Sequence, residues 1–451
     1  MSEKDPVPTA VTAPLPGFGP VAPQERIETL DILRGFAIFA ILVVNWSVDL
    51  LWSVSPWTGW TGMADQITYW TIQFTLNEKS WPIFAFLFGL GFSIQMERAE
   101  ARPASFVVIY MRRLAILFVI GAAHFILTER DILFMYALFG FLLLPLRKLR
   151  LNWLVILALI CILIPWGRHT LIAREHEFRL ADPATAQQTI EKDRQQRAAN
   201  QARWAEHDRI EASGSFTEIV TLRAQLFWER ISTWTNYLNW LGDPFPPFLL
   251  GLFAGRRRIF HEVAAHRQFL RKVMWWGLVL GLAGTAVWEG LKAWLFLSGE
   301  GTKEAGLLGS LPYLTRQLAR LVERLASPTL GLAYIAGLIL LLESSSWKKR
   351  MSPLAAVGRM ALTNYLLQSV AFVLLFFGYG LGWYGKVGAF SGLLLTIPVI
   401  VGEIFLSRWW LKRFRFGPVE WLWRTLTYGK WQPMRIQQPI AATVGKSGAL
   451  G

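Results

Sequence analysis

Apolar runs near the roughly 20 residues needed to cross a 30 Å hydrocarbon core recur along almost the whole chain, each closed by a short polar connection. That pattern leaves few folds open, because a backbone in lipid must satisfy its own hydrogen bonds, and separate runs of this length do so as helices. The expected fold is an all-α, polytopic membrane bundle. The composition agrees: 53% of the 451 residues are hydrophobic and 17% charged, against about 25% charged in a soluble domain. Reading apolar runs against their polar flanks places about ten spans, at residues 32–52, 81–96, 114–127, 132–146, 151–166, 245–255, 273–297, 329–342, 354–378 and 388–406. The sixth is short and opens on DPFPPF, which also suits a re-entrant or broken helix.

The net charge of +15 could suggest nucleic acid, but the basic residues sit in short loops beside apolar runs, where they mark topology. Arg112 and Arg113, Arg147 with Lys148 and Arg150, Arg256 to Arg258, Lys348 to Arg350, and Lys412 with Arg413 all fall on one side of a ten-helix count. That places both termini in the cytoplasm, with the lipid bilayer as the partner and no nucleic acid. The expected organisation is a disordered tail (1–25), spans one to five (26–167), an extracytoplasmic polar helical insertion (168–242), spans six to ten (243–411), an interfacial motif (412–435) and a flexible tail (436–451). The insertion mixes acidic and basic residues evenly, the composition of a water-facing cap.

Polar groups at bilayer depth are costly, so each one is a functional candidate, with structural pairing between helices as the rival. In the first run, Asp31, Arg34, Gly35, Asn45 and Asp49 interrupt LDILRGFAIFAILVVNWSVDL. Arg34 and Asn45 are eleven residues apart, about three turns, so they share a face with Asn45 roughly 16 Å deeper. Asp31 stands one turn before Arg34, placed to orient its guanidinium. Arg113 and His124 repeat the spacing in the third run. Imidazole titrates nearest neutrality, which suits a general base or proton relay at that depth. On the residues alone, an interface arginine, an interhelical asparagine and a bonded core histidine explain the same pattern equally well.

Facing each other, the two helices would form one cavity, with arginines at its cytoplasmic mouth and Asn45 and His124 at its closed end. Weaker candidates are the turn Glu129–Arg130–Asp131, the pair Glu289 and Lys292, Asn364 with Gln368, and Glu403. No metal site is expected. His261 and His266 in HEVAAH are five apart, whereas a zinc HExxH pair needs four. The single cysteine, Cys161, excludes an internal disulfide, and no P-loop, dinucleotide or GxSxG pattern occurs.

LDILRGFAIFAILVVN, FLFGLGFS, RRLAILFVIGAAHFIL with RDILFMYAL, and above all GPVEWLWRTLTYGKWQP (417–433) resemble the YeiB family of bacterial membrane proteins, a domain of unknown function, over about residues 26–435. The Trp/Arg-rich last motif reads physically as a helix at the inner interface. The first-run pattern also resembles the wider superfamily of transmembrane acyltransferases, which includes OafA-like enzymes and the lysosomal heparan-glucosaminide acetyltransferase. That resemblance implies an inner-membrane protein carrying an acyl group from cytoplasmic acyl-coenzyme A to a lipid, glycan or small-molecule acceptor in the envelope. It further implies that Arg34, Arg112 and Arg113 hold the coenzyme's phosphates, with the coenzyme a co-substrate and no bound cofactor. OafA-like enzymes carry a histidine where this chain has Asn45, and the lysosomal type places one a few turns later, where WSVDLLWSVSPW has none. His124, the sole histidine inside an expected span, is then the substitute catalytic group. A transporter or exporter, and a non-catalytic scaffold, are the competing classes.

Overall fold

A computed structural model of the protein describes residues 27–47, 62–98, 103–129, 131–297, 311 and 313–436. The N-terminal tail, Asp49, Arg130 and the end of the C-terminal tail lie outside the described residues. The described chain is all-helical, apart from an isolated bridge between Phe414 and Arg435. In order the helices are α1 (Glu28–Ser47), α2 (Met63–Thr75), α3 (Ser80–Arg98), α4 (Pro103–Thr128), α5 (Leu133–Leu146), α6 (Leu151–Ala181), α7 (Pro183–Ser213) and α8 (Phe216–Ser232). They continue as α9 (Trp234–Gly242), α10 (Phe245–Arg256), α11 (Val263–Leu297), α12 (Tyr313–Leu341), α13 (Ser345–Arg359), α14 (Ala361–Phe376), α15 (Ala389–Leu411) and α16 (Pro418–Tyr428).

Six helices (α1, α4, α6, α11, α12 and α15) are long and apolar enough to cross a membrane, and α13 with α14 makes a seventh if the bent pair counts as one span. Large apolar side chains point outward from them, such as Leu159, Leu163 and Ile164 on α6, Trp275, Val279 and Leu280 on α11, and Ile397, Val401 and Phe405 on α15. Water would penalise so continuous an apolar exterior, whereas lipid tails would not. This is the architecture of a helical membrane protein. α1 is the exception, buried along most of its length, and forms the centre of the bundle.

Two backbone crossings set the packing. In the first, Gly89 of α3 faces the Phe248 carbonyl and Gly251 of α10 faces that of Phe86, so any side chain there would strike backbone. Gly89, the first glycine of FLFGLGFS, and Gly251 therefore let α3 and α10 touch, the small-residue contact that replaces hydrophobic drive between membrane helices. In the second, Gly35 of α1 meets Leu354 of α13 while Gly358 meets Asp31. The glycine of the LDILRG motif is thus a packing residue.

Two expected spans take another form, and a third forms where expected. Residues 354–378 do not form one span: the chain bends by 77° at Met360, between α13 and α14. The short sixth run is α10, 12 residues long and so only about 18 Å. α9 leads into it beside α6, with His169 Nε2 3.0 Å from Asn239 Oδ1, and the two break at Asp243. The 31-residue α6 is about 46 Å long, so its apolar start runs as one helix through residue 168 into the polar insertion. The polar residues after Trp166 had suggested an end that the helix does not take.

Candidate functional site

Near the far end of α4, His124 is buried, and its Nδ1 lies 2.8 Å from Oδ1 of the equally buried Asp131. Asp131 is held in turn, because its Oδ2 accepts the backbone N–H of Phe134 at the start of α5 (2.9 Å). An ionised Asp131 can only accept, so with it the neutral imidazole would carry its proton on Nδ1 and keep the Nε2 lone pair. Nε2 is buried and makes no hydrogen bond. An unpartnered buried nitrogen is costly, and a histidine oriented by a carboxylate with its other nitrogen free is the arrangement of a general base.

The ring packs on Tyr365 of α14, with centroids 5.0 Å apart. Tyr365 also walls a cleft of about 320 Å³, counting its open mouth, together with Asn45, Thr128, Gln368 and Ser369. Thr128 is one turn beyond His124 and donates its hydroxyl to the His124 carbonyl at 2.9 Å. The cleft thus sits between α1, α4 and α14, with Asn45 in its wall and His124 behind Thr128 and Tyr365. Gln368 donates to Glu403 Oε2 of α15 at 2.9 Å, and Asn364 to Ser407 Oγ at 3.0 Å. Glu403 Oε1 is left without a partner.

The arginines occupy the other end. Arg34 Nη1 donates to Asp31 at 2.8 Å. Arg113 stacks 3.9 Å over the ring of Trp423, whose indole N–H donates to the Arg113 carbonyl at 3.0 Å. Arg112 lies against Gly429, which ends α16 with a left-handed φ of 64° that glycine adopts without strain. Of Arg34, Asn45, Arg113 and His124, only Asn45 lines this cleft. Ile38 and Ile41 of α1, Val357 of α13 and Tyr365 of α14 pack into an apolar cluster. Eleven-residue spacing puts groups on one face but says nothing about which apolar side chains fill the 16 Å or so between them.

The C-terminal motif acquires a physical role that its composition did not reveal. The bend at Met360 exposes the N-terminal donors of α14, and Glu420 of α16 satisfies them. Its Oε1 accepts from the N–H groups of Leu362 (2.7 Å) and Thr363 (3.0 Å), and its Oε2 from the Thr363 hydroxyl (2.5 Å). Burial pushes the Glu420 carboxyl up, while the Thr363 hydroxyl and these backbone donors pull it back toward its charged form. A carboxylate at a helix N-terminus also complements the helix dipole. GPVEW therefore locks the bent helix to the face that carries the arginines. The Glu289–Lys292 pair expected on α11 forms at 2.7 Å, and Glu289 lines a separate cavity with Lys79 and Glu323.

Sequence reasoning grouped Asp131 with its charged turn and missed it as the partner of His124, seven residues away. The signal was present in AHFILTERD, because a short turn after α4 can bring a carboxylate back over the last helical turn. Tyr365 carried no such signal, since it is one aromatic among many apolar neighbours.

Residues 254–430 match the family described as protein of unknown function (DUF418). Over 433 residues, covering 92% of this chain and 97% of its own, the uncharacterized protein YxaH of Bacillus subtilis is 33% identical. The uncharacterized protein YeiB of Escherichia coli is 28% identical over 426 residues, covering 90% of this chain and 97% of its own. An uncharacterized 39.9 kDa protein from the amylase 3' region of Bacillus acidopullulyticus is 26% identical over 421 residues, covering 93% and 99%. No solved structure matches the chain. Similarity of this extent to YxaH, with the DUF418 match in the C-terminal half, establishes that the chain belongs to the YeiB family of DUF418 proteins.

Proposed function

We propose that this protein is a membrane acyltransferase that moves an acyl group from cytoplasmic acyl-coenzyme A to a hydroxyl or amine acceptor of the envelope. The observation that carries the reading is the buried His124–Asp131 pair, with Nε2 unpartnered beside a cleft walled by Asn45. In the reaction Nε2 takes the acceptor's proton as its oxygen or nitrogen attacks the thioester carbonyl. The Asn45 amide donates to the developing oxyanion, and the coenzyme thiolate leaves with the proton from Nε2. Arg34, Arg112 and Arg113 suit the coenzyme's phosphates, since guanidinium forks match phosphate oxygens. Access from that end requires the Ile38–Tyr365 packing to part when the acyl chain enters.

The test is binding and turnover by purified protein with a labelled acyl-coenzyme A. Arg34→Ala should weaken binding about tenfold or more, the scale of a lost charge-assisted contact of 1.5–3 kcal/mol. Unchanged binding would remove the arginines from the substrate path.

The reading also needs a fixed orientation: ten spans in a bacterial inner membrane, with both termini in the cytoplasm. Reporters fused after Arg150, Arg258, Arg350 and the C-terminus should all report cytoplasm, and one at Asn200 the outside. An external signal at Arg350 alone would break the ten-span count, and the short α10 is where it would fail. Small-molecule transport is the second reading, favoured by the unpartnered Oε1 of Glu403 behind the cleft wall. There Glu403→Gln would abolish substrate movement, whereas in the transferase it should leave turnover intact.

A further inference from the structure

The polar insertion read as a water-facing cap contains HDRIE, which places His207 and Glu211 one turn apart on the same face of α7. The structure docks that face on the end of α4. His207 Nε2 lies 2.8 Å from Oε2 of Glu129, and one ligand atom from each of Glu129, His207 and Glu211 falls within 4.8 Å of the other two. The His207 side chain is 11% exposed and that of Glu211 2%.

Geometry and outer contacts both point to a cation here. The three candidate ligand atoms come from two separate parts of the chain, the end of α4 and one face of α7, and converge in a largely buried seam. The second layer is in place too. Arg223 holds Glu211 by both oxygens at 2.8 and 2.6 Å. Asp208 Oδ1 stands 3.4 Å from His207 Nδ1, and the Tyr384 hydroxyl donates to it at 3.0 Å. Metal-binding histidines characteristically have their other ring nitrogen oriented in this way, with ligating carboxylates hydrogen-bonded in turn.

We propose that Glu129, His207 and Glu211 form a binding site for a divalent cation of the zinc class, which clamps the cap onto the bundle. One imidazole and two carboxylates are a zinc-type donor set, with a fourth position for water. Magnesium and calcium prefer all-oxygen shells. The site goes beyond the acyltransferase reading, and its test does not depend on that reading.

Full-length protein stripped with chelator is titrated with Zn2+, and bound metal is counted after desalting. One ion per chain is expected. His207→Ala and Glu211→Gln should weaken binding by more than about 100-fold, and Asp208→Asn, which removes an outer partner, by roughly tenfold. Glu206→Gln, exposed on the same helix, should change nothing. If His207→Ala undocks the cap, Glu129→Gln tests the same site from the bundle side. Absence of saturable Zn2+ binding, binding that survives loss of both His207 and Glu129, or equal competition by Mg2+ would each overturn the proposal. The first of these would leave the direct His207–Glu129 contact in place of an ion.

Discussion

His124→Gln will bind acyl-coenzyme A as the wild type does and transfer its acyl group about 10²- to 10⁴-fold more slowly, the range lost with a positioned general base. Glutamine is polar and can still hydrogen-bond Asp131, but it has no lone pair able to take a proton at neutral pH. Asp131→Asn should fall in the same direction for a different reason. An asparagine amide can donate to Nδ1, which moves the ring proton to Nε2 and closes the base. Each single change also leaves a buried group badly paired, at a cost of about 1–3 kcal/mol in stability.

The double variant, His124→Gln with Asp131→Asn, restores an uncharged hydrogen-bonded pair. It should recover much of that stability and none of the transfer, a separation that a purely structural histidine would not produce. Wild-type turnover in His124→Gln would end the acyltransferase assignment of this pair. Acyl-coenzyme A turnover and thermal unfolding of purified variants in detergent give both readouts.

Much of the architecture was legible because lipid imposes one rule on every segment, so apolar length alone marks helices such as 151–166 and 388–406. The reading weakened wherever a segment's partner lay elsewhere in the chain. Residues 354–378 carry Arg359, Asn364 and Gln368 among apolar neighbours, a pattern that suits an unbroken span as well, and nothing local announces the bend at Met360. The cause is Glu420, 57 residues from Thr363, which caps the donors that the bend exposes. α2 was passed over because its alternating polar residues hide an amphipathic helix that packs on α15 and α11.

The site followed the same division. Asp31 with Arg34 is a contact within one turn and could be read from spacing. His124 with Asp131 depends on the fold of a turn, and the 77° bend that brings Tyr365 to the imidazole depends on a distant motif. The cap was read as solvated surface because its charges balance along the sequence. That balance conceals the one face where Glu211 and Arg223 are fully buried.

The largest structural effect is expected at the crossing of α1 and α13. A Cβ at Gly358 would lie against the Asp31 carbonyl and the Gly35 N–H, the two ends of one rung of the α1 hydrogen-bond ladder. Gly35, one turn on, meets the Leu354 carbonyl in the same way. These obstacles are backbone atoms of a buried central helix, so they cannot rotate aside as a side chain would. Overpacking a core ordinarily costs about 1–3 kcal/mol, and Gly358→Ala should reach or exceed the top of that range. Gly35→Ala should follow it. The displaced turn carries Asp31 and Arg34, so any folded fraction should also bind acyl-coenzyme A more weakly. Gly290 of α11 and Gly402 of α15 have open space where a Cβ would go. Alanine there should be neutral or stabilise by about 0.5–1 kcal/mol through helix propensity. Thermal unfolding of the four variants in one detergent separates the two classes without reference to activity. If Gly358→Ala melts with Gly290→Ala, the α1–α13 crossing is looser than described, and the anchoring of Arg34 and Asn45 on a rigid central helix fails with it.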